Sequence, residues 1–548
     1  MLSGFDPQAI TDLEGARQAI AALLNLVEEL KSENHALRTE VQELRDEISR
    51  LKGEQGRPQI KANQGQDASS DHSSEKERRQ PKGWRKGRKN DQIRIDRTEV
   101  LAVDPSQLPA DAVFKGYVET VVQDIRIMTD NVCFMKAKYY SPSQRQVYLA
   151  SMPAGYAGQF GPSVRSLVLT LYYASGMTEP KICEFLGHID ISISAGQVSN
   201  LLIKEKDAWH AEKEAIWRAG VQSTDWQHID DTATRVNGEN QHCHILCNPF
   251  YTAYFTRPGK DRLTLIHLLQ GTDEVQLLLN EQTAAWLDLF KTPQWAQRQI
   301  THWPHQIALS QMQMTQWIED ELTSLNVQQQ ARLLEAAALT AYHAQTETPI
   351  VSILLSDDAP QFQHITQQQA LCWIHEGRHY KKLSPFVDYH RHLLDDFIKQ
   401  FWLFYHQLQA YRVRPSSDQA QLLNANFDAL FNTTTGYQQL DDRIAKTKAK
   451  KDKLLLVLHH PQLPLHNNPA ELGARQRVRK RDISFGPRTP DGVAAWDTFM
   501  TLSESAKKLG INFYAYVYDR VSGAFHLPDL AELIQQRSLD ATPDSFSE

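Results

Sequence analysis

The stretch TPIVSILLSDDAPQF, residues 348–362, is an apolar, β-branched run that ends on Asp357 and Asp358. A run of this kind without polar alternation predicts a strand buried on both faces, which an α/β sheet covered by helices provides. Open α/β sheets place their chemistry at the carboxyl ends of their strands, where these two acids fall. Upstream, WQHIDDTATRVNG and HCHILCNPFYTAYFTRP, within residues 226–258, are short β-rich runs separated by Asn and Gly, and they predict a meander whose first strand carries Asp230 and Asp231. A third acid, Glu471, lies in LPLHNNPAELGARQRVRK, at the head of a helix predicted to begin near Pro469. Two Asp at strand ends and one Glu on a later helix can hold two divalent ions ~4 Å apart, and hard oxygen donors select Mg²⁺ or Mn²⁺ over zinc. Taken singly, each acid is more often a cap or turn residue. The set carries the reading.

A chain of 548 residues is long enough for two to four domains. No apolar run approaches the ~18 residues needed to span a bilayer, and the start MLSGFDPQAI lacks the basic and apolar regions of a secretory signal. Five scattered cysteines predict a reducing compartment with no disulfide framework, so the expected location is the cytoplasm, with no membrane partner. A net charge of −7 argues against a uniformly basic nucleic-acid binder, but the charge is segregated. Residues 76–97 hold ten Lys or Arg against three acids, and residues 475–488 hold six against one. Candidate phosphate contacts are therefore Lys82, Arg85, Lys86, Arg88 and Lys89 in the first segment, and Arg475, Arg477, Arg479 and Arg481 in the second.

Leu23, Val27, Leu30, Asn34, Leu37, Val41, Leu44, Ile48 and Leu51 alternate spacings of four and three, a heptad with Leu at every d position. One Asn among β-branched a residues favours a parallel, in-register pair, and Glu33, Glu40 and Glu47 at g face Arg38, Arg45 and Lys52 at e of a partner. Residues 53–100 have too little apolar content to offset ordering and read as a flexible basic linker. Alternation in YVETVVQDIRIM, CFMKAKYYS and QRQVYLASM predicts a small β module. Residues 162–205 read as a helix, a turn at Gly176, a helix opened by Thr178 and a third helix after Ser194, the pattern of a helix-turn-helix.

The stretch LCWIHEGRHYKKL contains His375, Glu376 and His379 in the HExxH spacing of zinc metallopeptidases. Gly377 between the histidines weakens the helix such a site requires, and a third ligand has to come from elsewhere. Cys372, His375 and His379 also share one helical face, which leaves a structural metal open as a reading.

Taken in order, IDDTATRVNG, LLSDDAPQF, LCWIHEGRHY and LHNNPAELGARQRVRKRDISFGPR resemble the signature blocks of the insertion-sequence-sixty-six transposases, over roughly residues 115–520. The resemblance implies a DDE enzyme on an RNase H-like fold. Its register selects Asp230, Asp357 and Glu471 as the catalytic, metal-holding acids for two Mg²⁺ or Mn²⁺ ions with no zinc, and it makes Cys372 and His375 the CxxH element that follows the second Asp. HExxH is then an accident of that helix. It further implies double-stranded DNA as partner (inverted-repeat ends and target) and accessory transposition proteins, while a homodimer or higher synaptic oligomer is expected through the coiled coil. Two departures stand out: Cys133 alone cannot supply the family's paired CxxC elements, and Leu472 replaces the Arg that usually follows the Glu, with Arg475 one turn away.

The expected architecture is α/β. A zipper over residues 1–52 and the linker over 53–100 precede a β module at 101–158, with metal ligands absent, and a helix-turn-helix region at 159–210. The RNase H-like core begins over 211–380, is interrupted by an α-helical insertion over 381–462, and ends over 463–548 with the helix that bears Glu471 and a C-terminal tail. Two rival readings predict different outcomes: a zinc metallopeptidase has no need of Asp230 or Glu471, and a non-catalytic DNA-binding dimer from a decayed element binds without strand transfer.

Overall fold

In the computed structural model, which describes residues 12–51, 93–104, 107–109, 111–156, 158–300 and 308–541, the apolar run before Asp357 forms a strand between two sheet neighbours. The N-terminal heptads form one 39-residue helix, α1 (Leu13–Leu51). Most of the expected linker lies outside the described residues, including Lys82, Arg85, Lys86, Arg88 and Lys89. Among the described residues the expected β module is corrected to one hairpin, β1 (Lys138–Ser141) with β2 (Gln146–Leu149). YVETVVQDIRIM forms no ladder: Val118, Val122 and Ile125 are exposed, and alternation specifies a strand only where one face is covered and a neighbour takes the backbone hydrogen bonds.

Three short helices follow: α2 (Pro162–Leu169), extended by a π turn over Thr170–Ala174, then α3 (Glu179–Gly187) and α4 (Ala195–Ile203). Pro162 opens the first, extended Thr178 precedes the second, and Ser194 Oγ accepts from Gln197 N at the start of the third. Helix α5 (Asp207–Gln222) leads into the meander β3 (Trp226–Val236), β4 (Glu239–Cys247) and β5 (Thr252–Arg257). Asn237 and Gly238 both take positive φ at the first hairpin, the conformation a two-residue turn needs to match strand twist. An elaboration with no counterpart in the sequence expectations separates β5 from the next sheet strand. It comprises α6 (Arg262–Gln270), the hairpin β6 (Gln276–Leu278) and β7 (Ala308–Ser310), and helices α7 (Glu281–Leu289), α8 (Gln294–Ile300), α9 (Gln311–Glu321) and α10 (Val327–Ala344).

The sheet is completed by β8 (Ile353–Ser356) and β9 (Gln368–Leu371), giving the order β5-β4-β3-β8-β9, antiparallel through the meander and parallel beyond β3. Helix α11 (Trp373–Lys381) then leads into α12 (Asp388–Val413), α13 (Ser417–Phe431), α14 (Gln438–Lys448) and α15 (Lys451–Leu454), which share an aromatic-rich core of their own. The chain returns to the sheet as α16 (Asn468–Ser484) and α17 (Pro490–Lys508), and ends with α18 (Phe513–Ser522) and α19 (Leu530–Asp540).

The two faces of the sheet have different covers. Ile229, Leu246, Ala253 and Phe255 point into the large core with α5, α6 and α10, whereas Cys243, Ile245 and Tyr254 meet Ala474 of α16 and Met500 of α17. The three helices α2–α4 are fastened to α17 through Trp496 and Phe499 and to α18 through Val517. Among the described residues no helix is long and apolar enough to cross a membrane.

Candidate active site

Residues directly opposite one another in an antiparallel ladder share a face. Asp230 pairs with Ile245 and Asp231 with His244, so Asp230 lies on the α16 side of the sheet and Asp231 on the other. The side chain of Asp231 accepts from Gln361 Nε2 at 3.0 Å. Asp357 follows the last residue of β8, and its carboxylate accepts from Ala359 N at 3.1 Å. Asp358 instead pairs with Lys450 at 2.7 Å. Glu471 sits in the first turn of α16, whose Gly473 lies so close to β4 that a Cβ there would come within 2.8 Å of Ile245. Burial, with the charges of Asp357, Glu471 and Asp231 acting the same way, pushes the Asp230 carboxyl up to about 7 against the opposing hydrogen bond from Asp231 N. The structure thus brings Asp357 and Glu471 within electrostatic reach of Asp230 and gives Asp231 and Asp358 other partners.

The block around Asn467 fastens α16 to the sheet. Asn467 Nδ2 donates to Ile229 O at 2.7 Å, its Oδ1 lies 3.0 Å from His228 Nδ1, and its own N–H donates to Cys372 Sγ at 3.2 Å. Cys372 is buried, and burial pushes its thiol up to about 12, so at neutral pH it is a protonated acceptor for that amide. His375 Nδ1 lies 3.7 Å from Glu471 Oε1, and Arg378 reaches Glu471 Oε2 at 3.1 Å and His375 Nε2 at 3.0 Å. Burial lowers the His375 imidazole, with Arg378 acting likewise and with Glu471 and Asp357 opposing. Arg378 has no motif signature, because its partner is distant in sequence; an arginine one turn after His375 on the same helical face is the one signal that points to it.

The HExxH residues do not converge. Glu376 is buried on the side of α11 that faces the inserted helices, where Arg443, Lys450 at 3.0 Å and Thr447 at 2.5 Å engage it. Burial alone would raise its carboxyl, but Thr447, Lys450 and Arg443 hold it below the ordinary value, so it is a fixed anion rather than a general base. Among the described residues the His, Cys, Asp and Glu side chains close enough to share one ion are Cys372, His375 and Glu471, without His379. Gly377 is explained by packing: a Cβ there would lie 2.7 Å from the Trp402 ring. Gly377→Ala is expected to cost about 1–3 kcal/mol of stability from overpacking, read as a lower urea midpoint at unchanged m.

Of the basic residues on α16, Arg475 and Arg479 are exposed and Arg481, half-buried, donates to Ala233 O. Arg477 corrects the expectation of a DNA contact. It is 1% exposed, pairs with Asp497 at 3.3 Å, donates to Thr256 Oγ1 at 2.8 Å and lies over the Trp496 ring. A guanidinium in that position braces α16 against α17 and β5 and has no path to a phosphate.

Comparison with known proteins bears on the same stretch of chain. Residues 340–495, which run from the end of α10 into α17 and include Asp357, Cys372, His375 and Glu471, match the model of the transposase IS66 family. The uncharacterized protein y4jO of Sinorhizobium fredii is 30% identical over 304 residues, 55% of this chain and 94% of that protein. A family model that covers the second acid, the CxxH helix and the third acid, and a relative matched over nearly its whole length, lead to one conclusion: the chain belongs to the transposase IS66 family.

Proposed function

We propose that the chain is a DDE transposase that binds the inverted-repeat ends of its element as double-stranded DNA and performs metal-dependent strand cleavage and transfer with Asp230, Asp357 and Glu471. The observation that carries this reading is the convergence of those acids from β3, the end of β8 and the first turn of α16 on one side of the sheet. The strand order β5-β4-β3-β8-β9, an antiparallel meander continued by parallel strands, supports an RNase H-like core, interrupted by the helices α12–α15.

The three acids fit hard divalent cations. All offer carboxylate oxygen, and the burial and repulsion that together raise Asp230 are offset when positive charge enters. They would hold two Mg²⁺ or Mn²⁺ ions, which when bound activate a water or 3′-hydroxyl and stabilise the leaving oxygen of an in-line displacement. Arg378 balances the charge of Glu471, and His375 lies against it. Asn467 fixes the start of α16 to β3 and so sets the spacing between Glu471 and Asp230. The triplet α2–α4, fused to α17, and the exposed Arg475 and Arg479 are the DNA-facing elements in this reading, and α1 pairs two copies in parallel.

The test is to incubate the purified protein with the inverted repeats that flank its gene and with Mg²⁺ or Mn²⁺. End-specific nicks and joined products that vanish with EDTA are expected; their absence with both ions defeats the proposal. In the same assay His379→Ala is expected to lower strand transfer by no more than about threefold, because His379 is outside the acid cluster, and elemental analysis should find less than one zinc per chain. Stoichiometric zinc lost together with activity on that substitution would revive the metallopeptidase-type helix.

A further inference from the structure

Helix α1 has two faces with different fates. Its heptad seam is open: Leu30 is 56% and Leu37 53% exposed, and Val27, Val41, Leu44 and Ile48 are exposed with them. On the opposite side, at the b and f positions, the same helix is built into the protein. Glu28 is only 2% exposed; its Oε1 accepts from Phe386 N at 2.6 Å, and its Oε2 accepts from Val387 N at 2.9 Å and lies 3.2 Å from His390 Nδ1. Those amides stand at the start of α12, where helix donors lack intrahelical acceptors and an anion is favoured. One turn earlier, Asn25 Nδ2 donates to Gly436 O at 2.8 Å and its Oδ1 accepts from Gln438 N at 3.0 Å, at the start of α14. His390 stacks on Tyr437 at 4.4 Å, joining the two helix starts beneath α1, and His35 packs on Phe386.

A zipper helix on a loose tether has no use for a buried glutamate at a b position, which in an isolated coiled coil faces water. We propose that α1 is a two-sided connector: its b/f face is clasped to the insertion of its own chain through Glu28 and Asn25, while its open seam takes the α1 of a second copy. The second copy is the occupant because Glu33 and Glu40 at g complement Arg38 and Arg45 at e of a parallel partner, with Asn34 opposite Asn34. Each pair then carries one insertion on each outer side of the coiled coil. The insertion in turn is tied to the acid cluster, since Lys450 bridges Asp358 and Glu376. Pairing therefore sets the placement of the two candidate active sites, a consequence that rests on the transposase reading, whereas the clasp itself does not.

The test uses the full chain and needs no catalysis. Light scattering gives the mass, and hydrogen exchange reads the amides of Phe386, Val387 and Gln438. The wild type should be dimeric with all three protected. Glu28→Lys should stay dimeric while exchange at Phe386 and Val387 rises on the order of tenfold or more, and Asn25→Ala should do the same at Gln438. The double variant Leu30→Lys with Leu37→Lys should become monomeric with protection unchanged. Unaltered exchange in Glu28→Lys and Asn25→Ala overturns the clasp; loss of protection in the seam variant overturns a clasp made within one chain. A seam variant that remains dimeric overturns the assigned occupant of the seam.

Discussion

Asp230→Asn, Asp357→Asn and Glu471→Gln are each expected to reduce metal-dependent cleavage of the element ends by about three orders of magnitude or more, with DNA binding retained. Each exchange removes one of the carboxylate charges that face one another across the cluster and leaves shape and volume nearly unchanged. Their neighbours provide the contrast. Asp231 lies on the opposite face of the sheet and bonds Gln361, so Asp231→Asn should cost less than about tenfold. Asp358→Asn gives up the ion pair with Lys450, a group that also grips Glu376, so its effect should appear as a small loss of stability rather than of rate. Gel assays of end cleavage beside filter binding separate the two outcomes. An inactive Asp358→Asn with an active Asp357→Asn would shift the register by one residue, and cleavage by all three acid variants would remove the mechanism.

Arg477→Ala is expected to destabilise the fold by about 3–5 kcal/mol, because it removes the ion-pair partner of the buried Asp497. Asp497 would keep the hydrogen bonds from Thr256 N and Oγ1, which satisfy its geometry but not its charge. A urea melt of the full chain measures this, and the protein that remains folded should bind DNA as the wild type does. Arg475→Ala and Arg479→Ala, both at exposed positions, should show the reverse: an unchanged melt and weaker, less salt-dependent binding. Wild-type stability in Arg477→Ala together with lost DNA affinity would restore the contact that burial excludes.

The contrast between these arginines shows how far the sequence was legible. Pro469 marked the start of α16 because a proline in the first turn signals itself locally. The burial of Arg477 was signalled too: Ala470, Gly473, Ala474 and Arg477 recur at the spacing of one helical face, but the density of positive charge hid that period. The family resemblance selected Asp230 over Asp231, but the face each acid takes follows from the pairing with Ile245 and His244, and pairing register is a property of two strands. The grip of Arg378 on Glu471 spans 93 positions, and no local pattern contains it. YVETVVQDIRIM failed for the opposite reason, since a locally correct strand pattern found no partner.

The bond between His228 and Asn467 joins positions 239 residues apart. A ribosome adding about 5–20 residues per second needs roughly 10–50 s to cover that distance. Throughout that interval the emerging chain holds Asp230, and for part of it Asp357, without Glu471 or the helix that carries it. A message cut short anywhere in between yields a product with an open sheet face and no complete acid set. The order of synthesis therefore leaves the acid cluster incomplete until α16 has been made.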